Sequence, residues 1–141
     1  MARRLKPPPA VVLGQSGEAA GMATMVAELV RANLADSPGR CRIARRARGS
    51  VVLLADDRSL GVTVTFGDGQ VVVDASPAAD APVLAGPWLT MATVCAGARS
   101  PLAAVARREL HVVARRPFRA LLAAGYVLKV PRSIGAGADR R

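Results

Sequence analysis

Aromatic side chains are almost missing from this chain of 141 residues: Phe66, Trp88, Phe118 and Tyr126 make up the whole 3%. They are dispersed among apolar neighbours, so the adjacent rings on which single-stranded nucleic acid stacks are not encoded. Histidine occurs once, as His111, and no G-x-S-x-G nucleophile elbow accompanies it, because Gly14-Gln-Ser-Gly17 is one residue short. His111 is therefore read as an ordinary strand-face residue, with no catalytic residue assigned anywhere. Cys41 and Cys95 lie far apart without a C-x-x-C step or a Cys/His cluster, which leaves neither a zinc site nor a disulfide framework. They are expected to be buried thiols in a reducing compartment. The 10 acidic residues are scattered, and only Asp56-Asp57 are adjacent, in a turn where Asp serves the backbone. Paired carboxylates for glycoside chemistry or metal binding are not provided. Gly67-Asp-Gly69 precedes a strand rather than a helix and lacks the third glycine of a phosphate-cradling loop, so no cofactor is implied. No apolar run reaches the roughly 18 residues of a membrane span, and Ala10-Val-Val-Leu13 is too short for a secretion signal. The expectation is a cytoplasmic protein.

What the chain does have is positive charge and small aliphatic side chains. Lys and Arg total 20 against those 10 acids, a formal charge of +10, which attracts anionic surfaces of any kind. Five arginines fall between Arg40 and Arg48, and Arg42, Arg45, Arg46 and Arg48 are the candidate contacts to an anionic surface, in a segment read either as a short helix or as an exposed connector. The same arginine content, with abundant Ala and Val, also fits the residue usage of a GC-rich bacterial genome. Hydrophobic residues reach 51%, so the core must be built from Ala, Val and Leu.

The most informative stretch runs from Leu60 to Asp74. Asp68-Gly69 supplies the positive φ values of a two-residue type I′ turn, so counting back from it pairs Phe66 with Val71 and Val64 with Val73. With Val62 these residues share one face, which must be covered, while Thr63, Thr65, Val72 and Asp74 fall on the other. Around this hairpin the spacing predicts a flexible, basic and Pro-rich arm over 1–16. A helix from about 17 carries Met22, Met25, Val26, Leu29, Val30 and Leu34 on one side, and Asp36-Ser37-Pro38-Gly39 stops it. A strand is expected over 50–55 and another over 81–85. Helices are expected over 88–95 and from Pro101, the latter with Leu102 and Val105 inward, then a strand over 110–115. A last helix over 118–128 has Phe118, Leu121, Leu122 and Tyr126 along one side, and a tail over 132–141 follows. The order implies one domain over 17–131 of the α+β class: two layers, a five-stranded mostly antiparallel sheet, helices on one face, and a helical crossover before the last strand.

That order, with Gly61-Val-Thr-Val-Thr-Phe-Gly-Asp-Gly69, the following Val-Val-Val, Pro82-Val-Leu-Ala-Gly86, and Gly97-Ala-Arg-Ser-Pro-Leu102 leading into Glu109-Leu-His-Val-Val113, resembles the sterol carrier protein family of lipid-binding domains, in its stand-alone actinobacterial type. The resemblance covers about residues 20 to 130. It implies a non-catalytic carrier of a fatty-acyl or sterol-like ligand, held in an apolar tunnel between sheet and helices, with the C-terminal helix as one wall. The tunnel candidates are Val62, Val64, Phe66, Val71, Val73, Trp88, Met91, Phe118, Leu121, Leu122 and Tyr126. Peripheral contact with an anionic membrane through the arginines fits that reading. A basic nucleic-acid-associated protein is disfavoured by the missing stacking residues, and a protein-interaction scaffold with a collapsed tunnel is the other alternative. Nothing in the pattern sets an oligomeric state.

Overall fold

The computed structural model describes residues 8–14, 16–113, 124 and 128. Its elements in chain order are β1 (Ala10–Leu13), α1 (Ala20–Asp36), α2 (Pro38–Arg46), β2 (Gly49–Ala55), β3 (Leu60–Gly67), β4 (Gln70–Asp74), β5 (Val83–Gly86), α3 (Trp88–Cys95), α4 (Pro101–Ala106) and β6 (His111–Val113). The strands form one sheet in the order β1-β4-β3-β2-β5-β6.

The β3–β4 hairpin forms as the turn chemistry dictates. Asp68 and Gly69 take φ of +53° and +72°, and the register pairs Val64 with Val73 and Phe66 with Val71. β2 adds antiparallel on the far side of β3, with Val51 opposite Val64 and Leu53 opposite Val62, so its alternate residues extend the same apolar face. The chain then passes behind the sheet through residues 75–82 and returns as β5, parallel to β2. The expected helical crossover through α3 and α4 leads to β6, which pairs antiparallel with β5.

The sheet differs from expectation in two ways. It has six strands rather than five, and it is mixed rather than mostly antiparallel, since β1·β4 and β2·β5 are parallel pairs. The sixth strand comes from Ala10–Leu13, expected within the flexible arm 1–16. The Arg31 guanidinium donates to the Val11 carbonyl at 2.9 Å and the Gly14 N–H to the Val73 carbonyl at 2.8 Å, so the segment gains partners that are distant in sequence. Further along, α2 settles the Arg40–Arg48 segment as a helix, whose start Ser37 caps by accepting from the Arg40 N–H at 3.2 Å. In α4, Leu102 is exposed and Ala104 is buried, the reverse of the inward Leu102 that was expected. Gly86 has a packing reason to be glycine: a Cβ there would meet Leu110 Cδ2 and lie 2.9 Å from the Glu109 carbonyl oxygen. The bare backbone lets Leu110 reach the core.

Candidate functional site

The front face of the sheet is a continuous apolar layer. Val62, Val64 and Phe66 of β3 and Val71 and Val73 of β4 are 0–2% exposed, and Val51 and Leu53 of β2 join them. Their cover comes from Met22, Val26, Val30 and Leu34 on α1, Cys41 and Ala44 on α2, and Met91, Val94 and Cys95 on α3. Ala124 and Leu128 belong to the same buried cluster, and the Leu128 N–H donates to the Ala124 carbonyl at 2.9 Å, one helical turn apart. Most of these side chains are Val, Ala or Met, so the layer is held by dispersion and exclusion of water rather than by directed bonds. Its one titratable group on α3 reports the same dryness: burial pushes the Cys95 thiol up to about 12. Such a thiol is a poor nucleophile. Cys41, also buried, donates its S–H to the Leu34 carbonyl at 3.0 Å.

The structure thus brings together Val62, Val64, Phe66, Val71, Val73 and Met91 in one layer and sets Trp88 at its margin. The Trp88 N–H donates to Asp57 Oδ1 at 2.8 Å, fixing the start of α3, and the Arg58 guanidinium lies 5.6 Å from the ring centroid. Phe118, Leu121, Leu122 and Tyr126 lie outside the described residues. Val51 and Leu53 are layer residues that the sequence reading left out of the site. Their signal was present in the alternation of the 50–55 strand beside a hairpin whose apolar face was already known.

At the end of the sheet bearing the 68–69 turn, α2 presents Arg42 and Arg46 to solvent, with Arg45 half-buried. Arg48 follows the helix and its guanidinium donates to the Arg45 and Ala47 carbonyls at 3.4 and 3.2 Å, cationic partners for a helix C-terminus. The opposite end carries Glu18 and the turn Asp56–Ser59. A cleft of about 180 Å³ opens there, lined among others by Glu18, Leu60, Gly61 and Pro77, smaller than the few hundred Å³ of an ordinary ligand pocket. His111 Nε2 sits 4.0 Å from Asp56 Oδ2 with both side chains in solvent, where such a pair is strongly screened. Among the described residues no three metal-ligating side chains gather, and no helix is long and apolar enough to cross a membrane.

Strand order, crossover and covered face can be compared with solved structures. The chain matches the UbiJ-SCP2 ubiquinone synthesis protein with a TM-score of 0.53 and 18% identity, over 77% of this chain and 96% of that one. It matches the crystal structure of sterol carrier protein 2 with a TM-score of 0.52 and 22% identity, over 78% and 92%. The fold is that of a sterol carrier protein domain. No protein-family model and no curated protein matches the chain, so the likeness is one of architecture. Against the five-stranded sterol carrier frame that the sequence resemblance implied, β1 is an addition, and it lies on the β4 edge, away from the α3–α4 crossover.

Proposed function

We propose that this protein binds an elongated apolar ligand, a fatty-acyl chain or a sterol-like molecule, between the sheet front and its helical cover, and carries it without chemical change. The observation that carries this reading is the front layer itself: a face made almost wholly of Val, Ala, Met and Leu, covered by helices whose inward side chains are mostly apolar too. Exchanging side-chain contact for ligand contact in such a layer is nearly isoenergetic, and each Å² of apolar ligand surface removed from water contributes about 25 cal/mol. The names of the matched proteins, a sterol carrier and a ubiquinone synthesis protein, agree in pointing to apolar cargo.

Val62, Val64, Phe66, Val71 and Val73 form the floor in this proposal, and Met22 and Met91 form the adaptable wall, because an unbranched thioether reshapes around varied ligands. Trp88 stands at the rim with its ring held beneath Arg58. Phe118, Leu121, Leu122 and Tyr126 are the proposed remainder of the wall, from the same stretch of sequence as Ala124 and Leu128, which belong to the buried cluster.

Native mass spectrometry of the purified protein, with displacement of a fluorescent fatty acid, tests the proposal. The expected result is a co-purified or added lipid at one per chain, and probe displacement weakened by Val64→Asp. A chain that carries no lipid and displaces no probe overturns it.

A further inference from the structure

Helix α2 buries one arginine and exposes its isoleucine. Its inner side holds Arg40, only 9% exposed, with Cys41 and Ala44, while Ile43 is 40% exposed on the outer side. At 100° per residue Arg42 and Arg46 stand at the centre of that outer side, with Ile43 on one flank and Arg45 on the other. A single exposed apolar residue is ordinary on a protein surface. An isoleucine set among arginines is a narrower observation, because only a partner that is both anionic and apolar rewards both residue types. Phosphates on a nucleic acid duplex would use the arginines and leave Ile43 idle, whereas a bilayer interface takes the guanidinium groups at its headgroups and the aliphatic side chain just beneath them.

The surroundings agree in charge. β2 starts beside the hairpin turn, as the pairing of Gly49 with Phe66 shows, so the C-terminal end of α2 leads to the turn end of the sheet, where the turn carries Asp68 and α1 ends at Asp36, against Arg40, Arg42, Arg45, Arg46 and Arg48 along α2 and just after it. The opposite end also exposes an apolar residue, Leu89 at 80%, but it lies by Asp57, which binds the N–H of Trp88 beside it. An anionic membrane favours the α2 end over the other.

We infer that the outer face of α2, through Arg42, Ile43, Arg45 and Arg46, is the docking surface of this protein on a bilayer containing anionic phospholipid. The choice of a bilayer rests on the carrier reading, since apolar cargo is collected and delivered at membranes. In this arrangement the arginines provide long-range attraction and Ile43 a short-range apolar anchor.

Co-sedimentation with vesicles of phosphatidylcholine mixed with phosphatidylglycerol, against phosphatidylcholine alone, tests the inference. The protein should partition onto the mixed vesicles, and more weakly as salt rises. Arg42→Glu and Arg46→Glu should each lower the partition by at least about fivefold, the effect of one cationic side chain near an anionic leaflet. Ile43→Ser should lower it by about fivefold through lost apolar contact, and Leu89→Ser should leave it unchanged. All four positions are exposed, and an unchanged thermal melt shows that each variant is folded. No partition onto mixed vesicles overturns the inference, as does an equal loss with Leu89→Ser. Sensitivity to the arginine changes alone, with tight retention of a DNA duplex, overturns it in favour of a phosphate-binding surface. Fluorescent fatty-acid displacement in vesicle-free solution separates the two ideas. The α2 variants should keep it, and a wild-type protein that docks on vesicles but displaces no probe sinks the carrier reading while the docking surface stands.

Discussion

The two faces of the sheet are closed by different physics. On the front, helices cover Val62, Val64, Phe66, Val71 and Val73 with mostly apolar side chains. On the back, residues 75–82 are tied down at defined atoms. Thr63 donates its hydroxyl to the Ser76 carbonyl at 2.7 Å and accepts from the Ala78 N–H at 2.8 Å. Thr63 and Val52 are a cross-strand pair and both are buried, while residues 76–80 are themselves exposed. A ligand entering the back would strand hydrogen-bonding groups, each costing about 1–3 kcal/mol. A ligand entering the front loses only contacts that it can itself replace. The contrast supports the front, rather than the back, as the face of the proposed ligand.

The largest test of this contrast is Phe66→Ala. Removing the largest side chain of the front should destabilise the empty protein by about 3–5 kcal/mol, read from the urea midpoint with an unchanged m value. Saturating fatty acid should recover part of that loss by filling the space. A loss unaltered by ligand would mean that the ligand does not reach this floor.

The corresponding change on the back is Thr63→Val, which keeps the shape but strands the Ser76 carbonyl and the Ala78 N–H. About 1–3 kcal/mol should be lost, with faster hydrogen exchange at the Ala78 amide and no change in fatty-acid affinity. Equal effects of the two substitutions on affinity would erase the distinction between the faces.

How much of this was readable from the chain follows the range of the signals. The hairpin, its register and its buried face were legible because turn chemistry and two-residue alternation act within a few residues. Helix α3 was legible because Pro87 and Gly97, at φ +80°, mark its two ends. Strand β1 was not, because four residues after a proline run acquire their partner only when β4, far along the chain, is in place. The parallel β2·β5 pairing escaped for the same reason: pattern gives a strand but not its neighbour. In α4, six residues are too few to show a period, and Leu102 was assigned inward on hydropathy alone. Of the expected floor, all five sheet residues lie together. The buried Arg40 and exposed Ile43 of α2 run against hydropathy, and follow only once Cys41 and Ala44 fix which side of the helix meets the core.

Cys95 sharpens the dryness of the front. Its thiol is held at about 12 by burial, against an ordinary value of 9.0, so below pH 9.0 it is protonated in both folded and unfolded chains and adds no pH dependence. Between those values the unfolded chain releases the proton and the folded chain keeps it, so stability falls with rising pH, by about 1.4 kcal/mol per pH unit. Cys95→Ala should remove that slope in urea titrations across the alkaline range, at the cost of a small constant loss from packing. A wild-type slope no steeper than the variant's would mean that water reaches the layer beneath α3.

The smallest expected effect concerns what assigns residues to faces in the first place. Gly69→Ala places a side chain at φ +72° and should cost about 1 kcal/mol. A slip of β4 by one residue could relieve the turn, but the side-chain period of two would then carry Val71 and Val73 from front to back. Burying those two side chains is worth about 1.5–3 kcal/mol each, more than the strain relieved. The register should therefore hold, with cross-strand contacts of Val64 to Val73 and Phe66 to Val71 still seen by NMR. A slipped register in this variant would show that the turn, and not the apolar layer, decides which face of the hairpin is the front.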